Sequence, residues 1–388
     1  MHPRSLHADH ATLHFEADAC LAVRSAGTAC QACETACPTA ALRVADAPQL
    51  TGACLGCGRC AAACPTGALV AAGFAREYPL PNGNEPIRIE CWMVAPALAH
   101  RHSVRVPCAG GVSPGRWLTW VEAAEPVRLE VVDRGWCEAC PAGGGDGHVA
   151  APVLAIVREW LCAAGMPAAV QPRIVSEPLA PELCPDAFPR PTDAETLGRR
   201  DFFRRFAERF QATADAPAAR HTSLAAIRRA AHVQPEHDLR LTALARSAQR
   251  HGGSVHPAVL PSIALEPHCA GHGVCAGACP TGALRLVSGS AAEGLAFDAS
   301  LCTACGLCER MCPEQAIHVD RARRGAAGFA LVSRRELHAC PGCGAAHAGD
   351  TPLCPRCIAG QRLAHDLFSP VGHDRQGPRS STEVIHHE

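Results

Sequence analysis

Lysine is missing altogether: all 36 basic residues of this 388-residue chain are arginine. That removes both the lysine that a phosphate-binding loop sets against its nucleotide and the lysine a Schiff-base enzyme needs. Aromatic residues are scarce, at 4% with a single tyrosine, and much of the 48% hydrophobic fraction is alanine and cysteine. Large cores built around Phe and Trp are therefore not expected, and the small folded parts need another source of cohesion. Long apolar runs are absent too. The longest, Val149 to Val157, is far too short to span a bilayer, and the stretch from Met1 to Cys20 has no continuous apolar core of the kind a secretory signal carries. A net charge of −1 leaves no electrostatic footprint of nucleic-acid binding. The expectation is a cytoplasmic protein with no nucleic-acid partner and no direct membrane insertion.

What the chain has in abundance is cysteine, 25 of them. A disulfide scaffold would need an oxidising compartment, and most of these cysteines lie two or three residues apart, a spacing suited to metal ligation. A phrase recurs four times: Cys37-Pro-Thr-Ala-Ala-Leu, Cys64-Pro-Thr-Gly-Ala-Leu, Cys279-Pro-Thr-Gly-Ala-Leu and Cys312-Pro-Glu-Gln-Ala-Ile. Two copies fall within 14–73 and two within 262–320.

Cys54, Cys57, Cys60 and Cys64-Pro form a complete C-x2-C-x2-C-x3-C-P run, and Cys302, Cys305, Cys308 and Cys312-Pro form another. A tight loop presents three thiolates to one cubane, the fourth cysteine reaches the neighbouring cluster, and proline ends the helix and turns the chain into a strand. Local crossed pairing gives Cys54, Cys57, Cys60 and Cys37 for one [4Fe-4S] cluster and Cys302, Cys305, Cys308 and Cys279 for another. The other two runs depart from the pattern. Counting back from Cys37 gives Cys33 and Cys30, but Gly27 stands at the next ligand position and Cys20 lies seven residues earlier. A loop insertion restores the set Cys20, Cys30, Cys33 and Cys64; the alternative makes Cys20 a bystander and the cluster [3Fe-4S]. In the third run, Cys269, Cys275 and Cys279 frame His272 at the second position. The set is then Cys269, His272, Cys275 and Cys312, since imidazole binds cluster iron. A three-iron cluster, or an external ligand on one iron, are the other readings.

On these motifs, 14–73 and 262–320 each resemble a bacterial two-cluster ferredoxin. The resemblance implies two ββ/αα-like halves around the clusters and one-electron relay, with no substrate chemistry of its own. Four-cluster subunits of molybdenum oxidoreductases pair the first motif with the fourth instead, but the long separation here favours local pairing.

Residues 86–177 read as alternating α and β. Strands at Ile87–Glu90 and Ser103–Val106 run into Cys91 and Cys108. A glycine turn and helix follow over Gly110–Ala123, then a strand at Val127–Val132 before Cys137 and Cys140, a helix at Val149–Ala164 and a final segment at Arg173–Glu177. Cysteines after successive strands would converge on one sheet edge, where such folds place ligands. The layout is similar to the small iron–sulfur (delta) subunit of methyl-viologen-reducing hydrogenase. That resemblance implies a [2Fe-2S] cluster on Cys91, Cys108, Cys137 and Cys140; Trp92 and Met93 stand where that family has further cysteines. A redox dithiol at Cys137 and Cys140 is the alternative.

Pro178 to Thr192 reads as a linker. Residues 193–251 have a helical pattern with Phe202, Phe203, Phe206 and Phe210 on one face, and Arg199-Arg200 before them only superficially resembles an export signal. Cys340, Cys343, Cys354 and Cys357 resemble the two knuckles of a zinc ribbon at 337–360, a closed structural Zn site; a rubredoxin-like iron site on the same four ligands is the alternative. Residues 361–388 are expected to be disordered, and Cys162 and Cys184 have no partners. The expected fold class is α+β multidomain: two ferredoxin-like modules flanking an α/β cysteine-bearing domain and a helical linker, plus the ribbon. The expected function is an electron-transfer subunit whose partner is the catalytic redox subunit of a cytoplasmic oxidoreductase complex of hydrogenase, formate dehydrogenase or heterodisulfide-reductase type. A ferredoxin-type accessory protein that matures a molybdenum or iron–sulfur enzyme is the alternative.

Overall fold

The computed structural model describes residues 4–8, 11–24, 30–74, 78–143, 145, 147–186, 235–289, 292–347 and 351–368. The phenylalanine face at 202–210 and the Arg199-Arg200 pair lie outside them. The chain forms two compact units, residues 1–287 with 295–333, and residues 288–294 with 334–388.

The first unit opens with β1 (Arg4–Ala8) and β2 (Ala11–Phe15), followed by the one-turn helices α1 (Leu21–Arg24) and α2 (Ala32–Thr35). The hairpin β3 (Leu42–Val44) and β4 (Pro48–Leu50), α3 (Arg59–Ala63) and β5 (Leu69–Ala71) complete the module. Strands β1, β2 and β5 form an antiparallel sheet, Leu13 facing Ala71 and Phe15 facing Leu69, so the module begins ahead of residue 14.

Next comes a four-stranded parallel sheet of β6 (Ile87–Cys91), β7 (Val104–Val106), β8 (Leu129–Asp133) and β9 (Arg173–Ser176), in the order β7-β6-β8-β9. Helix α4 (Pro114–Ala124) joins β7 to β8 and α5 (Ala151–Ala163) joins β8 to β9. Ser113 caps α4, accepting the N–H of Arg116, with Pro114 at the first helical position. The strand order reverses beside β6, which places its carboxyl end, Cys91, at the point where open α/β sheets bind ligands. A fully buried carboxylate on β6, Glu90, is satisfied by Arg134, whose Nη2 stands 2.6 Å from it, and this pair ties β6 to the turn after β8. The few aromatics gather here: all five tryptophans lie between 92 and 160, Trp117 is fully buried, and its ring meets Trp120 edge-on at 5.4 Å. The expectation that large cores would not be built around Phe and Trp needs correcting for this domain, because composition averaged over the chain hides local concentration.

Helix α6 (Pro235–His251) lies against α4. The approach is close enough that a Cβ on Gly115 would come within 2.9 Å of the Glu236 carbonyl oxygen and the Leu239 Cβ. Beyond it, β10 (Pro261–Leu265), α7 (Val274–Ala278), β11 (Leu284–Ser288), β12 (Ala292–Phe297), α8 (Leu307–Met311) and β13 (Ile317–Arg324) repeat the logic of the first module, β10 pairing antiparallel with β13. All four repeated phrases share one local geometry. The fourth residue of each, Ala40, Gly67, Gly282 or Gln315, takes a positive φ, and the sixth, Leu42, Leu69, Leu284 or Ile317, begins a strand.

β14 (Ala330–Glu336) leads into the second unit, where the short hairpin β15 (His338–Ala339) and β16 (Ala346–His347) precedes α9 (Pro355–Phe368). The polar segment from 361, expected to be disordered, is helical as far as Phe368. Pro355 opens this helix and the helix-forming Arg362, Leu363 and Ala364 extend it; 369–388 lie outside the described residues. No helix among the described residues is long and apolar enough to cross a membrane.

Candidate metal centres

In the first module, Cys37, Cys54, Cys57 and Cys60 line one cavity of about 350 Å3. Cys20, Cys30, Cys33 and Cys64 line another of about 340 Å3, so the distant Cys20 is brought to the other three, with burial and then Cys64 and Cys30 acting to raise its pKa. In the second module, Cys279, Cys302, Cys305 and Cys308 surround a third cavity, again of about 340 Å3. Three voids of nearly equal size, each walled by four thiols, suit the same occupant.

The thiols crowd one another out of water. Burial, reinforced by Cys64, Cys30 and Cys20, pushes Cys33 up to about 12. Burial raises Cys302 to about 12 as well, with Cys279 and Cys305 adding to it, and lifts Cys60 and Cys308 further still. Neighbouring thiolates in so dry a pocket repel each other, and a bound cation is what removes the repulsion. Backbone N–H groups already turn toward the sulfurs: Gly56 to Cys54 Sγ at 3.4 Å, Ala304 to Cys302 Sγ at 3.4 Å, Ala68 to Cys64 Sγ at 3.2 Å and Ala316 to Cys312 Sγ at 3.3 Å.

At the third run, Cys275 feels both Cys269 and Cys312, after burial, as groups that raise its thiol. His272 is half-exposed and its Nδ1 stands 3.0 Å from Glu314 Oε1.

In the middle domain, Cys91, Cys108, Cys137 and Cys140 line a larger cavity of about 500 Å3 at the carboxyl edge of the sheet, together with Arg134, Trp136 and His148. Burial drives Cys108 far up, and after burial the strongest influence on it is Cys57 of the neighbouring cradle, ahead of Cys91 and Cys137. Cys57 and Cys108 pack in one apolar cluster with Ala142. Arg59 on α3 donates to the carbonyl oxygens of Ala142 and Gly143, at 3.0 and 2.6 Å, holding the Cys137–Cys140 turn against the first module. A Cβ on Gly111 would fall 2.2 Å from the Cys57 carbonyl oxygen, so only glycine permits this seating.

Three residues escaped the sequence reading. Cys184 packs with Cys91 and Cys140 around Met93, Val94 and Trp136, and Cys140, after burial, raises its thiol. Asp133 and His148 offer ligand atoms that lie, with that of Cys137, within 4.8 Å of one another. None of the three has a spacing signal; of them His148 lines the cavity, Asp133 stands beside His148 and Cys137, and Cys184 packs behind Cys91 and Cys140. Cys162 is exposed on α5.

In the second unit, the ligand atoms of Cys340, Cys343, Cys354 and Cys357 also fall within 4.8 Å of one another. A tetrahedral ion 2.3 Å from each sulfur spaces them about 3.8 Å apart, so this group is sized for one ion. Among the described residues no three thiols of the cluster-type cavities are drawn so close, as donors to a multi-iron cluster must not be. A backbone N–H bond from Cys354 to Cys340 Sγ, with others from Gly342 and Cys343, pushes Cys340 down to about 6.

The family model described as the 4Fe-4S binding domain matches residues 50–70 and 295–318. Both complete cysteine runs fall inside these segments; the first and third runs lie outside them. A search of curated proteins returned no match. With four buried or half-buried cysteines in each matched segment, the chain is an iron–sulfur protein of electron-transfer type that carries 4Fe-4S binding domains.

Proposed function

We propose that the chain is the relay subunit of an oxidoreductase complex, passing single electrons between a partner's catalytic centre and another redox carrier. Cys37, Cys54, Cys57 and Cys60, the set Cys20, Cys30, Cys33 and Cys64, and the set Cys279, Cys302, Cys305 and Cys308 each hold a [4Fe-4S] cluster. Cys269, Cys275, Cys312 and His272 form the fourth and irregular site. Cys91, Cys108, Cys137 and Cys140 hold a [2Fe-2S] cluster, as in the delta subunit of methyl-viologen-reducing hydrogenase, and the compact group at 340–357 holds zinc. Bound clusters supply reversible one-electron capacity; the protein keeps the donors dry, spaced and hydrogen-bonded.

The observation that carries this reading is the contact of Cys57 with Cys108. Two adjoining cradles share a wall made of their own ligands, which is how a relay shortens the distance between carriers. A lone storage or delivery site has no use for such a wall. Purification from the producing cell under anaerobic conditions tests the proposal. Stoichiometric retention of a flavin- or molybdenum-containing subunit is the expected result. A chain that purifies alone, while its deletion leaves an enzyme assembled but poor in clusters, would replace the relay with the maturation role.

A further inference from the structure

The four phrases are near copies, which makes their differences informative. In three of them threonine follows the Cys-Pro pair, and its hydroxyl lies against the cysteine: Thr39 3.7 Å from Cys37 Sγ, Thr66 3.6 Å from Cys64 Sγ, Thr281 3.6 Å from Cys279 Sγ. In the fourth phrase Glu314 replaces threonine, with Oε2 3.8 Å from Cys312 Sγ. A carboxylate beside thiolates is electrostatically costly and calls for a partner. Its partner is the residue that breaks the cysteine pattern of the third run: Glu314 Oε1 is 3.0 Å from Nδ1 of His272. The two exceptions, 42 residues apart in sequence, meet in space.

The backbone puts His272 where a ligand belongs. Cys57 stands between Gly56 and Gly58, and Cys305 between Ala304 and Gly306, all four flanking residues at positive φ. His272 stands between Gly271 and Gly273, also both at positive φ. Gly58, Gly273 and Gly306 each serve as the N-cap of the short helix that follows. The residue at the second position therefore leaves the loop in the same way in all three runs.

From these observations we infer that Glu314 is the positioning residue for a histidine-ligated cluster. Its carboxylate accepts a hydrogen bond from the Nδ1–H of His272, fixing the tautomer in which the Nε2 lone pair is free to bind iron. Neutral imidazole takes the place of a thiolate, and the Glu314 carboxylate restores nearby the negative charge that the exchange removes. No proton or electron is lost in the coordination; one nitrogen lone pair replaces one sulfur lone pair. The inference rests on the relay reading only in assuming that this cradle holds a cluster. The competing description is a half-exposed ion pair of small energetic worth.

The test uses the full chain, loaded with clusters anaerobically, reduced, and labelled with 15N-histidine, with nitrogen hyperfine couplings read by pulsed EPR. A strong histidine coupling is expected in the wild type. It is lost in His272→Ala and in His272→Cys, the latter keeping its iron. Glu314→Thr, which restores the repeat's own residue, should weaken the site's hold on iron about 10- to 100-fold against a chelator, while Glu314→Gln, able to accept the same hydrogen bond, should rescue it. Clusters present in the wild type without a histidine coupling would overturn the inference and leave the relay standing. So would a Glu314→Thr chain with unchanged coupling and chelator resistance. A chain that binds no iron at all would overturn both.

Discussion

Three of the four repeated phrases set a threonine hydroxyl against a cysteine sulfur, and for Cys279 the contact is sealed from water, Thr281 being only 6% exposed. Once that sulfur is a thiolate the hydroxyl must donate, and donation favours the more negative, reduced state of whatever the sulfur binds. Thr281→Val keeps the shape and removes the donor. We expect it to lower the midpoint potential of one cluster at unchanged iron content, in a reductive titration followed by EPR; an unmoved set of potentials would show the contact to be incidental. At this scale the sequence was most legible. Spacing grouped Cys37 with Cys54, Cys57 and Cys60, and Cys279 with Cys302, Cys305 and Cys308, and each group lines one cavity. It could not give Glu314 as the partner of His272, Cys184 beside Cys91 and Cys140, or Asp133 and His148 beside Cys137, since those meetings depend on which elements pack together.

Helix α6 shows how an element with no ligand of its own holds the first unit together. On one side Glu236 accepts the N–H of Gly115 at 2.7 Å, and Arg250 and Arg246 pair with Glu125 and Glu122 on and just after α4. On the other, His237 Nε2 donates to the Ser300 carbonyl oxygen at 2.9 Å, two residues ahead of Cys302. Burial depresses His237 to about 4, opposed in part by that bond and assisted by Arg240. A histidine held neutral in the fold contributes stability that is complete above its ordinary pKa of 6.5 and is lost as pH falls toward 4. Between pH 7.5 and 5.5 the wild type should therefore lose about 1 kcal/mol more than His237→Gln in denaturant unfolding; parallel curves would contradict the assignment. The parallel strands were legible to within two residues because each is a short stretch carrying apolar residues, the first ending at Cys91 and the second just before Cys108. The helix over 361–368 was not, because its polar composition says nothing of the proline start at Pro355.

Across the first unit, the tryptophan-centred sheet domain and the cysteine cradles depend on each other at their boundary. The first module seats against the middle cavity through Gly111, whose missing side chain admits the Cys57 backbone, and through Arg59 on the Cys140 turn. Gly111→Val is predicted to keep the iron of both sites while abolishing the magnetic interaction between them in the reduced protein. An interaction that survives would mean that the seating at Gly111 does not set the coupling between the two centres. The repeat announced the two modules at the level of sequence, but not this seating, which is set by a single absent side chain and an arginine more than eighty residues from its acceptors in sequence.

The claim on which the rest depends is that the thiol-lined cavities are cluster sites and the compact group at 340–357 a single-ion site. Metal and acid-labile sulfide analysis of the anaerobically purified chain, with Mössbauer spectroscopy of the iron, tests it most directly. Cubane-type iron with matching sulfide is expected, at about four irons for each four-thiol cradle of the two ferredoxin-type modules, with one zinc. Fewer than about eight irons per chain, the number two complete cysteine runs alone would hold, or iron without sulfide, would contradict it.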